Sequence, residues 1–429
     1  MRSANRWVTN ANNVGYVNSD GNVNNTNANY SGVCAAPDWD ERERTKERHG
    51  ASPREESPRR EPKSRLPRGR EQGIADGASL RTHAPISGDE SLDYATSAEG
   101  LYEAMLRCRS GVMWKTSVSA FVLDGWERCL RLSDELRSGA YRPGKPRKFV
   151  VTRPKRREIT ACSFRDRVWQ QSLVDNVVTP ALTRGLIREN CACQKGKGTD
   201  DARDLLVRDM RRWYAAHGLE GWTLGLDVAG YYGHMRHGDI EELFGSKLSS
   251  AATAMCMQIV EADYSGDVGV TAGSPLMQVV GISMLNKIDH EVKERLRIKN
   301  YVRYMDDMLM IGGRGELERA RARIGEMLSG LGMELNARKT HLQPVSQPVP
   351  WLGVVFRLTG TGKVVRTIRP EKVREERRRL RRLAGLAQRG EIPWSTADHA
   401  AASWAGYARR QCSTDGVAKR VKLYYEGLW

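Results

Sequence analysis

The chain has 429 residues, 40% of them hydrophobic, and its 69 Lys and Arg against 52 Asp and Glu give a formal net charge of +17. This length supports two or three domains, and the positive excess favours nucleic acid over a membrane surface as the partner. No apolar run reaches the ~20 residues of a membrane-spanning helix, and no signal peptide opens the chain. The eight cysteines form no CxxC pair. We therefore predict a cytoplasmic protein with reduced thiols and no membrane contact.

The first 90 residues differ from the rest in composition. Residues 1–39 form an Asn-rich leader, with ten Asn between Asn5 and Asn29, and residues 40–90 are dense in charge, Pro, Gly and Ser. Such segments cannot bury enough apolar surface to offset chain entropy, so both are predicted to be disordered. For residues 40–90 a solvated linker is favoured over an RNA contact.

Ordered structure is predicted to begin near Ser91, and the periodicity of apolar residues gives its elements in chain order. Helices are predicted at 91–111, 124–139, 164–186 and 315–333. Strands are predicted as a pair around a basic turn at 148–163, as a short buried strand that runs into a turn within 222–235, as a pair around an acidic turn at 298–313, and as a single strand at 349–358. The segment from Arg366 to Arg389, with ten Arg or Lys, is predicted to be one basic helix. Because the elements lack a regular βαβ alternation, the predicted fold class is α+β.

Three acidic residues stand at the ends of apolar strands. Asp306 and Asp307 occupy the turn of "YVRYMDDMLMIG", and Asp227 ends the strand in "WTLGLD". Taken alone, the Asp pair would be an ordinary hairpin tip. If the two strands are antiparallel neighbours, however, Asp227 lies beside Asp306, and crowded carboxylates are commonly neutralised by a divalent cation. Two Mg²⁺ ions about 4 Å apart would suit in-line phosphoryl transfer.

These segments resemble the motifs of reverse transcriptases. Tyr304-Met305-Asp306-Asp307 is similar to the YxDD box, and "DVAGYY", which begins at Asp227, is similar to the first palm motif. The resemblance implies a right-hand polymerase, with fingers at 91–222, a palm of antiparallel sheet and helices at 223–358, and a helical thumb at 359–429.

The resemblance also implies the roles of the palm residues. Asp227, Asp306 and Asp307 would be catalytic, and two Mg²⁺ ions, with Mn²⁺ as a possible substitute, would be bound by Asp227, Asp306 and the Val228 carbonyl. Tyr232 would be the aromatic gate that excludes a ribose 2′-OH, with an ordinary core tyrosine as the alternative.

Further residues match the nucleotide-binding and primer-binding segments of the family. The candidates for binding dNTP phosphates are the charged residues Lys155, Arg157, Arg165 and Lys339; a solvated basic turn is the alternative for the first three. The candidates for binding primer or template are Lys195 and Lys197 in "CACQKGKGTDDA", Trp351, Leu352 and Gly353 in the segment similar to the primer-grip hairpin, and Arg377 and Arg378 in the thumb.

The segment "GVTAGSPLMQVVGISMLNKID" indicates the subfamily. In the family, the last residue of the motif over the nascent base pair stands eleven positions before the Asp of an N-x-x-D segment. Asp289 matches that Asp, so the resemblance implies that the motif reads Ala272-Gly273-x-x-x-Met277-Gln278. Gln at this position is typical of reverse transcriptases from diversity-generating retroelements, whose motif is hydrophobic-G-x-x-x-S-Q. The chain departs from that motif at Ala272 and Met277. Gln278 joins the candidates for dNTP binding.

Membership of this subfamily implies an enzyme that copies a template-repeat RNA into adenine-mutagenised cDNA for diversification of a target gene. Its partners would be template RNA, nascent cDNA, dNTPs and an accessory variability protein. Asn codons are rich in adenine, so residues 1–39 are hypothesised to derive from a template repeat. The alternatives are another bacterial reverse transcriptase, of the retron or phage-defence type, and a non-catalytic RNA-binding protein on a polymerase scaffold. No maturase, RNase H or integrase segment follows the thumb in this sequence, which argues against mobile group II introns and retroviral elements.

Overall fold

The computed structural model describes residues 88–152, 157–263, 266–270 and 273–428. The predicted leader at 1–39 and all but the last three residues of the segment at 40–90 lie outside this range, as do Lys155 and Ala272. The prediction of disorder in residues 1–90 therefore stays a prediction.

Amphipathic helices and one β-hairpin form the first part of the described chain. The helices are α1 Gly88–Thr96, α2 Ala98–Cys108, α3 Thr116–Leu123 and α4 Gly125–Arg137. The Ser97 hydroxyl accepts a hydrogen bond from the Gly100 N–H at the start of α2, as expected of a helix cap. Strand β1, Arg147–Val151, pairs antiparallel with β2, Arg157–Ala161. The two predicted strands and the helix predicted at 124–139 are present. The single helix predicted at 91–111 is instead two helices, α1 and α2, because Ser97 is extended and caps α2, and α3 was not predicted.

A long helical segment follows the hairpin. Helix α5, Phe164–Leu173, continues through a π-helical turn, Val174–Val178, into α6, Thr179–Thr183. Helix α7, Thr199–His217, was not predicted; its buried residues, among them Leu206 and Met210, belong to a hydrophobic cluster shared with one face of the palm sheet.

A four-stranded antiparallel sheet forms the centre of the molecule. Its order is β4-β5-β3-β6, with β3 at Trp222–Leu226, β4 at Asn300–Tyr304, β5 at Asp307–Gly312 and β6 at His341–Pro344. Alternate residues of each strand face opposite sides, so Leu224 and Met310 enter a cluster with the helices of one side, whereas Leu309 and Ile311 enter the cluster with α7. The helices between and after these strands are α8 His237–Gly245, α9 Ser250–Asp263, α10 Pro275–Ser283, α11 Asn286–His290 and α12 Arg314–Gly330.

A second, three-stranded antiparallel sheet follows, with β7 at Val349–Trp351, β8 at Val354–Leu358 and β9 at Val364–Ile368. The single strand predicted at 349–358 is instead a hairpin, because Leu352 and Gly353 take positive φ values of 43° and 80° and reverse the chain. The hairpin agrees with the primer-grip resemblance.

The chain ends in three packed helices, α13 Pro370–Gln388, α14 Trp394–Gln411 and α15 Gly416–Glu426. The prediction that one helix begins at Arg366 was wrong, since Arg366 to Ile368 belong to β9. The β-branched run "VVRTI" favours a strand, and Pro370 starts the helix at its first position. The proposed palm–thumb boundary after residue 358 falls between the paired strands β8 and β9, and the domain division stays a prediction.

The mixture of antiparallel sheets and helices confirms the predicted α+β class. No helix in the described part of the chain is long and apolar enough to span a membrane.

Candidate active site

Two neighbouring strands of the central sheet bring three carboxylates together. Leu226, the last residue of β3, pairs with Met308 of β5, so Asp227 comes opposite Asp307. Asp307 in turn pairs with Tyr304 across the β4–β5 turn, which contains Asp306. The expected adjacency of the three acidic residues is therefore present at one end of the sheet.

The β4–β5 turn has an uncommon backbone. Met305, directly before Asp306, has a φ of 57°. Residues other than Gly and Asn rarely adopt this left-handed backbone conformation. Its carbonyl accepts a hydrogen bond of 2.8 Å from Nη1 of the buried Arg303. The left-handed residue suits a two-residue turn between twisted strands, and the arginine fixes the direction of its carbonyl.

The three carboxylates destabilise one another's charge. Desolvation, followed by repulsion from Asp227, raises the pKa of Asp306 to about 6. Desolvation, followed by repulsion from Asp306 and Asp227, raises the pKa of Asp307 well above its ordinary value. Repulsion of this kind costs stability unless a positive charge compensates it, and carboxyls with raised pKa values are common at functional sites.

Residues 334–340 supply the positive charge and the amide that compensate Asp227. The Lys339 ammonium donates to Oδ1 of Asp227 at 2.5 Å, and the Asn336 side-chain amide donates to Oδ2 at 2.9 Å. The Asn336 N–H also donates to the Asp227 carbonyl at 2.7 Å. Burial would lower the pKa of Lys339, but the hydrogen bond to Asp227 and the charges of all three aspartates leave it raised. Asn336 was not predicted as a site residue.

The sequence from Lys145 to Phe356 matches the family model described as reverse transcriptase (RNA-dependent DNA polymerase). The chain carries a reverse transcriptase domain. The match spans all three carboxylates, Tyr232, Gln278 and Lys339. No curated protein matches the chain.

Among solved structures, the chain is similar to telomerase from Candida albicans in complex with a TWJ fragment of telomeric RNA. The identity is 12% and the TM-score 0.40, with 67% of this chain and 55% of that chain covered. The present chain therefore spans little more than half of that telomerase chain.

The carboxylates of the reverse transcriptase domain provide part of the coordination that a divalent cation requires. Mg²⁺ prefers one or two carboxylates together with water and substrate phosphates, and Asp227 and Asp306 offer two at adjacent strand ends. The Lys339 ammonium forms an ion pair with Asp227, which shows that this carboxylate binds a positively charged group. Within the described ranges, no set of three His, Cys, Asp or Glu side chains is arranged to hold a metal ion by itself. Substrate oxygens would therefore have to complete the coordination.

The backbone beside Asp227 bears on the predicted role of Val228. Val228 forms an antiparallel bridge with Leu335, and the hydrogen bonds of that bridge use the Asp227 carbonyl and the Ala229 N–H. The Val228 carbonyl is not used in the bridge and stays a candidate ligand.

Tyr232 lies between the carboxylates and helix α10. A Cβ on Gly281 would come within 2.7 Å of the Tyr232 Oη, so this glycine makes room for the ring. Among the described residues, the buried Oη has no hydrogen-bond partner, and burial with nearby negative charge raises its pKa well above the ordinary value. Gln278 is buried three positions before Gly281, which places both on one side of α10. The structure thus brings Tyr232 and the helix of Gln278 to the same cleft.

The basic residues predicted to bind dNTP or primer–template before residue 222 differ in their contacts within the protein. The Arg165 guanidinium forms an ion pair with Glu135 and lies over the Tyr141 ring at 5.1 Å. The Lys197 ammonium donates to the Asn190 carbonyl at 2.9 Å, whereas Lys195 is exposed. Arg165 and Lys197 thus have contacts within the protein. Lys155 lies outside the described residues, and Arg157 is described only by its backbone, as the first residue of β2.

The candidate primer-binding residues lie at the β7–β8 hairpin and on α13. Trp351 is buried, and the carbonyl of Leu352 accepts a hydrogen bond from the buried Arg203 of α7. The Arg377 guanidinium lies over the Tyr424 ring at 5.2 Å, and Arg378 is exposed. Their contacts with nucleic acid stay predictions.

Proposed function

We propose that this chain is an RNA-directed DNA polymerase that extends a DNA strand on an RNA template by two-metal-ion nucleotidyl transfer. The observation that carries the proposal is the convergence of Asp227, Asp306 and Asp307 at adjacent strand ends within the matched reverse transcriptase domain. The net charge of +17 supports a polyanionic substrate.

Each residue of the site has a distinct part in the proposed reaction. Two Mg²⁺ ions, when bound, would supply activation of the primer 3′-hydroxyl and neutralisation of the triphosphate charge. Asp227 and Asp306 would hold these ions, assisted by the Val228 carbonyl, and Asp307 would support them from the opposite strand position. Lys339 reaches Asp227 from an exposed loop, so its ammonium can also reach a phosphate oxygen bound at the same carboxylates. Tyr232, under Gly281, would contact the sugar of the incoming nucleotide.

The finer proposal is a reverse transcriptase of a diversity-generating retroelement that copies a template-repeat RNA with errors at adenines. Gln278 at the end of its motif and the Asn-rich residues 1–39 support it. An accessory variability protein would then be a partner. Another bacterial reverse transcriptase, of the retron or phage-defence type, is the second candidate, because Ala272 and Met277 depart from the subfamily motif.

Primer extension tests the activity. The purified chain, given an RNA template, a DNA primer, dNTPs and Mg²⁺, should extend the primer, and Asp306→Asn should lower the rate by about 10³-fold or more, as expected when a metal-holding carboxylate is lost. Asp134→Asn, an exposed carboxylate on α4, is the matched control and should extend normally. Equal rates for wild type and Asp306→Asn would contradict the proposal. RNA binding without extension by the wild type would favour the non-catalytic scaffold.

Sequencing of the cDNA products tests the subfamily. Misincorporation concentrated opposite template adenines is expected from a diversity-generating enzyme. A flat error spectrum, with normal extension, would instead favour the retron or phage-defence alternative.

A further inference from the structure

A buried ion pair lies directly behind the catalytic turn. Arg303 of β4 and Asp289 of α11 are both fully buried, with side-chain exposures of 0%. The Arg303 Nε donates to Oδ1 of Asp289 at 2.7 Å and Nη2 donates to Oδ2 at 2.6 Å, while the Tyr301 hydroxyl donates to Oδ1 at 2.6 Å. Isolated charges at this depth would cost several kcal/mol each, so the bidentate geometry is what keeps the guanidinium in place.

The remaining donors of Arg303 point at two backbone carbonyls. Nη1 donates to the Met305 carbonyl at 2.8 Å, and Nη2 donates to the Ile282 carbonyl of α10 at 2.8 Å. One guanidinium therefore joins the catalytic turn to the helix that carries Gln278 and Gly281.

The Met305 carbonyl belongs to the peptide group that leads into Asp306. A peptide group is planar, so fixing the direction of the carbonyl also fixes the N–H and Cα of the next residue. Met305 occupies a left-handed conformation that is unfavourable for its residue type, so the turn needs such a restraint to stay in one geometry.

We propose that Arg303, held by Asp289, is a positioning residue that sets the direction of the Asp306 carboxylate. This inference rests on the proposed polymerase function. Arg303 reaches no reacting atom; it acts through the Met305 carbonyl. A displacement of a catalytic group by about 1 Å can cost about 10²-fold in rate, so loss of the restraint should lower kcat more than it changes binding of the primer.

The alternative is that the pair only stabilises the fold, and an apolar replacement separates the two roles. Replacing a buried ion pair by apolar residues of similar size is often neutral or stabilising. We therefore choose the triple variant Arg303→Met, Asp289→Leu and Tyr301→Phe. The Ile282 carbonyl keeps a donor in this variant, since the Asn190 side chain donates to it at 3.0 Å, whereas the Met305 carbonyl loses Arg303.

The triple variant should melt close to the wild-type temperature, bind primer–template with unchanged affinity, and lose about 10- to 100-fold in kcat. Its affinity for Mn²⁺, measured by electron paramagnetic resonance without any turnover, should also fall. Wild-type kcat and Mn²⁺ affinity in a folded triple variant would overturn the inference.

The matched control is the double variant Arg236→Met and Asp239→Leu. Arg236 also pairs with an aspartate, at 2.7 Å, and donates to a backbone carbonyl, that of Gly330 at 2.7 Å, but the pair lies at the start of α8 away from the turn. This variant should keep kcat and Mn²⁺ affinity.

A single variant decides the question if the triple variant does not fold. Arg303→Lys keeps a cation beside Asp289. It lacks the planar guanidinium, whose several N–H groups donate to the Asp289 carboxylate and the Met305 carbonyl at the same time. It should lose about tenfold or more in kcat, and a wild-type rate would overturn the inference. If the wild-type chain extends no primer, the proposed function fails instead, and Mn²⁺ affinity still tests the role of Arg303.

Discussion

The β4–β5 turn and the β7–β8 turn are built alike. Each contains a non-glycine residue in the left-handed region, Met305 with φ 57° and Leu352 with φ 43°. Each offers the carbonyl of that residue to a buried arginine, Arg303 in the first turn and Arg203 in the second. The same backbone arrangement therefore occurs beside the three clustered carboxylates and in the hairpin that resembles a primer grip.

The two arginines differ in what neutralises them. Arg303 pairs with Asp289, which is fully buried inside the palm. Arg203 pairs with Asp200, whose side chain is 44% exposed, and donates at 2.8 Å to Gln411 of α14. The side chain that restrains the first turn is thus neutralised by α11, and its backbone pairs with Glu189 and Cys191, whereas the arginine of the second turn contacts the C-terminal helix α14. Loss of the contact with α14 should therefore affect the β7–β8 turn without affecting the β4–β5 turn.

Replacing each arginine by alanine should give the largest difference between the two turns, measured as lost free energy of unfolding. Arg303→Ala leaves Asp289 buried and uncompensated and should cost about 3–5 kcal/mol of unfolding free energy. Arg203→Ala leaves a half-exposed carboxylate and should cost about 1–3 kcal/mol. Denaturant unfolding of both variants measures the difference. Equal losses of unfolding free energy would contradict the view that the two arginines are neutralised differently.

The pH dependence of stability tests the first turn next, since burial and mutual repulsion raise the pKa values of its carboxyls. The pKa of Asp306 rises from 3.8 to about 6 in the folded protein. Between these values the folded state binds more protons than the unfolded chain, so the free energy of unfolding falls as pH rises.

In metal-free protein above pH ~6, Asp306→Asn should therefore be more stable than wild type, by up to about 3 kcal/mol. Denaturant unfolding across pH 4 to 8 tests this, with Asp134→Asn as a control that should keep the wild-type slope. A wild-type slope in Asp306→Asn would show that the crowding of carboxylates is relieved in another way.

Removal of the hydrogen bond between Arg203 and Gln411 of α14 should have the smallest effect, a change in primer–template affinity. Gln411→Leu removes the acceptor for Arg203 and should weaken primer–template binding by about 3- to 10-fold, a loss typical of one hydrogen bond, while kcat stays unchanged. Gln388→Leu, which loses a 3.0 Å hydrogen bond to the Leu428 carbonyl elsewhere in the same helices, is the control. A fall in kcat for Gln411→Leu would mean that the two turns are not independent.

Local patterns were sufficient to predict the carboxylate site. Asp227 and Asp306 each follow a short apolar strand, and the strand signal together with the family spacing placed them side by side. Helix α12 was predicted because its apolar residues, Leu317, Ala320, Ile324 and Leu328, recur at helical spacing.

Contacts that depend on register over long separations were not predictable in this way. Asn336 reaches Asp227 across 109 positions, and Gln411 reaches Arg203 across 208. The contact of the Lys197 ammonium with the Asn190 carbonyl was likewise not predicted, and the role of Lys197 in binding primer or template stays a prediction. The start of the basic helix was misplaced because charge composition outweighed the β-branched residues before Pro370.

The ammonium of Lys339 on Asp227 means that the chain carries its own counter-ion. A divalent cation held by Asp227, as proposed above, would have to replace this ammonium. The negative charge of Asp227 is therefore compensated within the folded chain before any metal binds, and a lysine displaced by that metal would be free to contact a negatively charged substrate.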